Sequence, residues 1–162
     1  MIRPLRRAAA WLAAVWAGVV AGVGLIAAPV LFAALSRSDA GRIAGRLFAV
    51  DATIGVCVGA LLLLLTVQLA RADAEHGASR FSAEMMLVLG ALFCIVAGFY
   101  AVQPMMEAAS RGEPGPSFAL LHGVASAFFA AKLALVATLA WRLTGPPRGA
   151  AAGSTKAAAP TS

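Results

Sequence analysis

Four long apolar runs, separated by short polar segments, set the pattern of the chain. The runs cover about residues 8–35, 47–70, 82–106 and 118–141. A helix needs about 20 apolar residues to cross the hydrocarbon core of a bilayer, and each run reaches that length. The pattern therefore predicts an all-α polytopic membrane protein, a bundle of four transmembrane helices within residues 8–142.

The two ends of the chain lie outside the predicted bundle. Residues 1–7 contain Arg3, Arg6 and Arg7, and the apolar run that follows is much longer than the roughly 7–15 residues of a signal-peptide core. We therefore expect this run to remain as the first helix, after a basic cytoplasmic N-terminus. Residues 143–162 are rich in Gly, Pro, Ala, Ser and Thr, which predicts a disordered tail.

The basic residues favour one orientation of the bundle. If both termini are cytoplasmic, more Lys and Arg fall on the inner side than on the outer side, as the positive-inside rule requires. This predicts a multi-pass protein of the inner (plasma) membrane with both termini inside. The inner set is Arg3, Arg6, Arg7, Arg71, Arg80, Arg142, Arg148 and Lys156, and the outer set is Arg37, Arg42, Arg46 and Arg111.

Composition agrees with a membrane location. Only 12% of residues are charged and 61% are hydrophobic, with a mean hydropathy of +0.87, whereas soluble domains carry about 25% charged residues. The net charge of +6 comes from Arg residues placed between apolar runs, so topology explains it better than nucleic-acid binding does. The expected partner is the lipid bilayer, with no nucleic acid.

Small residues recur at helical spacing in two of the runs. Ala14, Gly18 and Gly22 share one face of the first helix, and Gly55 and Gly59 share one face of the second. Such faces allow close helix packing in membranes. They predict a homo-oligomer through Gly55 and Gly59, or through Gly18 and Gly22.

Polar residues from three helices are predicted to meet at the outer boundary of the membrane. One interpretation is that they only anchor helix ends, where polar groups cost little. The other is a small binding or proton-exchange site. No GxSxG, P-loop or HExxH motif occurs, so we predict no catalytic residues and no enzyme. The candidate cluster is Asp51, Tyr100, Gln103, Glu107, His122 and Ser126.

Lys132 lies near the middle of the fourth run, where a charge is costly. A helical wheel places it on the bulky face of the helix, which favours snorkelling along an apolar surface. A buried ion pair with Asp51 is the alternative, although the predicted depths of the two residues differ by about half a leaflet. The opposite, small face should pack on a neighbour, and consists of Gly123, Ala127, Ala130 and Ala134.

Metal and cofactor sites have little support in the sequence. Cys57 and Cys94 lie in adjacent helices, and soft sulfur ligands suit Cu(I). However, Cys is also a common small buried residue. With no CxxC motif, Cys57, Cys94 and His122 are only weak ligand candidates, and no metal or cofactor is expected.

Four segments resemble a known family: AAPVLF (27–32), AGRIAGRLF (40–48), QPMM (103–106) and FALLHGVAS (118–126). They resemble a bacterial four-helix membrane family of unknown function, related to the transmembrane protein 205-like proteins. The resemblance implies a four-helix membrane domain and assigns no activity. Family members often have an Asn soon after the last Ser, where this chain has Phe128 and Phe129. The motif positions are Pro29, Phe32, Arg42, Gly45, Phe48 and His122.

Two functions follow as hypotheses. The first is a membrane binding or assembly module that uses small-residue helix faces. The alternative is a small transporter, or a metal- or proton-handling protein, that works through the polar cluster.

Overall fold

The computed structural model describes residues 2–74 and 81–145 of the chain. In this part there are helices and no strands, and four helical spans are long and apolar enough to cross a membrane. The chain is therefore a multi-pass membrane protein. The first span comprises α1 (Ile2–Ala21), a π-helical segment (Gly22–Ala27) and α2 (Ala28–Ala34), and the second span is α3 (Arg37–Ala74). The third span comprises α4 (Ala83–Ile95), a π-helical segment (Val96–Ala101) and α5 (Val102–Ser110), and the fourth span is α6 (Phe118–Thr144).

The helices extend beyond the apolar runs. The second span begins at Arg37, whereas the apolar run suggested a start near residue 47. Ser36 makes this early start favourable, because its hydroxyl accepts a hydrogen bond of 3.2 Å from the backbone N–H of Asp39. At the other end of the chain, α6 continues to Thr144. Most of the predicted tail, residues 146–162, lies outside the described residues.

The four spans form a ring in which each packs against the next and the fourth packs against the first. The second and fourth spans are diagonal to each other. Both ends of the described chain meet at one end of the bundle, where the Arg6 guanidinium donates to the carbonyl oxygens of Arg142 (3.1 Å) and Leu143 (3.3 Å). These bonds satisfy carbonyls that the last turn of a helix leaves without partners.

Both π-helical segments precede a proline. Pro29 and Pro104 each lie two or three residues beyond such a segment. A proline ring clashes with the carbonyl four residues earlier, and a wider helical turn relieves that clash. The distortions that Pro29 and Pro104 cause in their helices therefore take the form of two local π-helices.

The two π-helical segments receive the aromatic residues of the fourth span. A Cβ added at Gly24 would collide with the Phe129 ring, and one added at Gly98 would lie 2.5 Å from Cβ of Phe128. Glycine is needed at both positions because the aromatic side chains approach the backbone itself. Phe128 and Phe129 thus join the fourth span to the third and first spans.

The glycine pair of the second span is covered within the protomer. A Cβ added at Gly55 or at Gly59 would meet the Trp16 ring at 3.5 Å or 3.4 Å, and Ile95 or Leu92 more closely still. Trp16 is itself only 2% exposed. The Gly55 and Gly59 face therefore builds the core of the protomer, and the predicted homo-oligomer is left with the Gly18 and Gly22 arrangement as its more accessible form.

Candidate functional site: a buried ion pair between the second and fourth spans

Asp51 and Lys132 form an ion pair across the diagonal of the bundle. Lys132 Nζ lies 2.5 Å from Asp51 Oδ2, and the two residues are only 4% and 3% exposed. The backbones of their two helices do not approach closely, so the long lysine side chain spans the gap. The contact is therefore a direct, desolvated bond between opposite charges in the apolar interior.

The snorkelling predicted for Lys132 is wrong, and the alternative ion pair is present. The second and fourth spans begin at the same end of the bundle. Asp51 lies 14 residues after Arg37, and Lys132 lies 14 residues after Phe118. At 1.5 Å per residue, both are about 21 Å from the start of their helix and thus at equal depth. The expected difference in depth came from starting the second helix too late.

Aromatic and sulfur-containing side chains surround the ion pair. Nζ of Lys132 lies 4.5 Å from the centroid of the Phe129 ring, a cation–π contact. Phe48 packs edge-on against Phe129 with 5.3 Å between ring centroids. Cys94, from the third span, is buried and close enough to Lys132 to interact with its charge. These contacts fix the ammonium group beside the carboxylate.

Two polar atoms of the bundle interior have no hydrogen-bond partner among the described residues. They are Oδ1 of Asp51 and Nε1 of Trp16, both fully buried. The Trp16 ring packs over Gly55, one helical turn along from Asp51. The carboxylate therefore has one oxygen bound to Lys132 and a second oxygen that could accept a proton or a hydrogen bond.

The structure does not assemble the rest of the predicted polar cluster around Asp51. Tyr100, Glu107, His122 and Ser126 are exposed, and Gln103 is half-buried. No hydrogen bond or ion pair joins any of these five residues to one another or to Asp51 within the described chain. His122 stacks on the Phe118 ring of its own helix, with 6.0 Å between centroids.

The family-motif positions have separate places in the fold. Pro29 and Phe32 are exposed on the first span. Arg42 is exposed and pairs with Asp39 at 2.8 Å, one turn earlier in the same helix, and Gly45 has open space beside it. Only Phe48 reaches the ion pair, through Phe129.

The weak metal candidates do not come together. Cys57 is exposed whereas Cys94 is buried, and His122 is exposed near the start of the fourth span. Within residues 2–74 and 81–145 there is no group of three or more His, Cys, Asp or Glu side chains that could hold a metal ion.

Sequence reasoning missed Trp16 and Phe129 as parts of the site. The signal for Trp16 was present, because it is the bulky residue that can cover a pair of glycines four residues apart on another helix. Phe129 stood out only as a departure from the resembled family. Its place three residues before Lys132, on the adjacent turn of the same helix, puts the ring beneath the ammonium group.

Comparison with known proteins gives one result. The family model of a domain of unknown function, DUF4149, matches residues 11–114. The match includes Asp51 and ends before the fourth span, which carries Lys132. Comparisons with curated proteins and with solved structures give no match.

We predict that Asp51→Ala destabilises the bundle by about 3–5 kcal/mol, because it leaves the Lys132 ammonium buried without a partner. The double variant Asp51→Leu/Lys132→Met should recover most of this loss, since an apolar pair of similar volume carries no desolvation cost. Reversible denaturation in detergent micelles measures both. His122→Ala, at an exposed position, is the control. A single variant within about 1 kcal/mol of the native protein would contradict a stabilising pair.

Proposed function

This chain belongs to the DUF4149 family, a domain of unknown function, and the family assigns it no role. From the geometry of the chain itself, we propose that it is a membrane assembly module that pairs with a second copy of itself. The observation that carries this proposal is the outward small-residue face of the fourth span. The proposal includes no enzymatic role. The face comprises Gly123, Ala127, Ala130, Ala134 and Ala137, all of them exposed.

The bundle does not use this face for its own packing. Within the protomer, the fourth span turns Leu121, Lys132, Val136 and Leu139 inward. A Cβ added at Gly123 would meet nothing within 4 Å. Within the most apolar 18 residues of each span, 11% of residues are buried in the first span and 17% in the fourth, against 28% in the second and 33% in the third. The first and fourth spans therefore have the most exposed surface available for contact with another protein.

A second copy is the occupant that suits this face best. Helices in lipid gain little from the hydrophobic effect, so association depends on close backbone approach and van der Waals contact. Close approach requires small residues on both helices, and a two-fold axis supplies the same face twice. The uncharged Ser126 hydroxyl, exposed at the edge of the face, could then donate across the dimer. The exposed Ala14 and Gly18 face of the first span is a secondary surface of the same kind.

The pairing predicts a specific crosslink in native membranes. In a background with Cys57→Ala and Cys94→Ala, Ala130→Cys should form a disulfide-linked dimer under mild oxidation. Val50→Cys is the matched control, because it is exposed on the second span at nearly the same depth. Ala127→Leu/Ala134→Leu should abolish the crosslink by preventing close approach. Equal crosslinking at positions 130 and 50 would refute pairing through the fourth span.

Proton handling is a second candidate function, favoured by the unpartnered Oδ1 of Asp51. A proton relay would use this pair, because Lys132 Nζ already donates to Asp51 Oδ2 at 2.5 Å while Oδ1 is left without a donor. Lys132 faces Asp51 from the fourth span, and Cys94 of the third span is buried within range of the Lys132 charge. The site here is the bundle core, not the predicted outer cluster.

Proteoliposomes that contain a pH-sensitive dye test this second candidate. The native protein should increase proton flux across the vesicle membrane. The double variant Asp51→Asn/Lys132→Met should remove this increase, because its two side chains are similar in volume to the native ones but carry no exchangeable charge. Glu107→Gln, exposed and remote from the pair, should behave as the native protein. Equal flux from the native protein and the double variant would eliminate proton handling.

We also propose a bacterial inner membrane, kinship with the transmembrane protein 205-like proteins, and cytoplasmic termini. The first two rest on the sequence resemblance, and the orientation rests on the distribution of Arg and Lys. In the same cysteine-free background, a membrane-impermeant maleimide should label Ser117→Cys in intact cells and Thr144→Cys only after lysis. The reverse pattern would invert the orientation.

A further inference from the structure

A groove opens between the first and fourth spans at the end of the bundle where both termini of the described chain meet. Its volume is about 560 Å³. Arg3, Arg6 and Arg7 line its outer part, and Ala10, Trp11 and Ala14 continue it along the first span. Among the described residues, no acidic side chain lines it.

The three arginines of the groove differ in their hydrogen-bond partners. Arg6 donates to the carbonyl oxygens at the end of the fourth span and thereby forms part of the wall. Arg3 and Arg7 are exposed, and neither has an ion-pair or hydrogen-bond partner within the described chain. Glu84, at this end of the bundle, is engaged by Arg142 at 3.2 Å. Two guanidinium groups are therefore free to bind an anion.

The position of the groove relative to the membrane follows from two exposed tryptophans, one in its wall and one on the neighbouring fourth span. Trp11 is 73% exposed and Trp141 is 81% exposed, on the two helices that form the groove. Exposed Trp side chains concentrate at the boundary between lipid headgroups and hydrocarbon. Arg3 and Arg7 consequently lie at headgroup level, and Ala10 and Ala14 lie toward the hydrocarbon.

We propose that this groove binds an anionic phospholipid, with the phosphate headgroup between Arg3 and Arg7 and an acyl chain along Ala10 and Ala14. Arg binds phosphate through bidentate hydrogen bonds, and basic pockets between transmembrane helices suit anionic headgroups. From Arg7 to Ala14 the helix rises about 10 Å, from headgroup level past the Trp11 boundary and into the hydrocarbon. The groove thus matches both the polar and the apolar part of a lipid.

Charge distinguishes the lipid from the chain's own tail as the occupant. Residues 146–162 contain Arg148 and Lys156 and no acidic side chain. Their charge repels the arginines, whereas that of an anionic lipid complements them.

Native mass spectrometry of the purified full-length protein tests the proposal, with equal amounts of dioleoyl phosphatidylglycerol and dioleoyl phosphatidylcholine as probes. The native protein should retain the anionic lipid over the zwitterionic one by roughly tenfold, and Arg3→Gln/Arg7→Gln should remove this preference. Arg37→Gln/Arg46→Gln, which removes two exposed charges from the opposite end of the bundle, should retain it. Equal losses in the two variants, or no preference in the native protein, would overturn the site.

Two further measurements on the native protein need no substitution. Added salt should weaken retention of phosphatidylglycerol, because exposed charges are screened, and a preference unaffected by salt would contradict the role of the arginines. Glycerol 3-phosphate at the concentration of the lipid should not displace it, because it lacks an acyl chain. Displacement would show a site for a free phosphate group and would overturn the lipid assignment.

Discussion

The Asp51–Lys132 ion pair constrains every other part of the bundle. Two charges can remain in an apolar interior only if they meet with good geometry, because each alone costs several kcal/mol. The second and fourth spans are diagonal and do not touch along their backbones. To bring the charges together, the bundle must hold these two helices at one depth and one separation. The first and third spans fill the remaining two corners and fix that separation.

The glycines of the first and third spans show how the separation is set. Gly24 and Gly98 lie in the two π-helical segments and admit Phe129 and Phe128. The fourth span is thereby drawn against both of its neighbours, and the Phe129 ring is placed beneath the Lys132 ammonium. Each π-helical segment exists because a proline follows it. Two prolines remote in sequence from Lys132 therefore help to position it.

The fold was largely predictable from the apolar runs, whereas the site was not. Hydropathy reports where a helix is apolar and not where it begins. Arg37 to Arg46 are polar enough to resemble a connection, yet Ser36 caps them as helix. This error displaced Asp51 toward the boundary, and with it the predicted cluster. The helical wheel placed Lys132 correctly on the bulky face of the fourth span, and that face was interpreted as a path for snorkelling. The ion pair was given second place because Asp51 was expected at another depth. A diagonal contact between non-adjacent helices leaves no periodic signal in either sequence.

The family match ends between the two partners of the ion pair. The matched residues, 11–114, include Asp51 and exclude Lys132. A bundle of the first three spans alone would leave the Asp51 carboxylate facing hydrocarbon, and it would also expose Gly98 where Phe128 now packs. Both defects are removed by a fourth helix that supplies a cation and two aromatic rings from Phe128 to Lys132. The fourth span is therefore an integral part of the folded unit, and its outward face of small residues is the surface that this folded unit presents to the membrane.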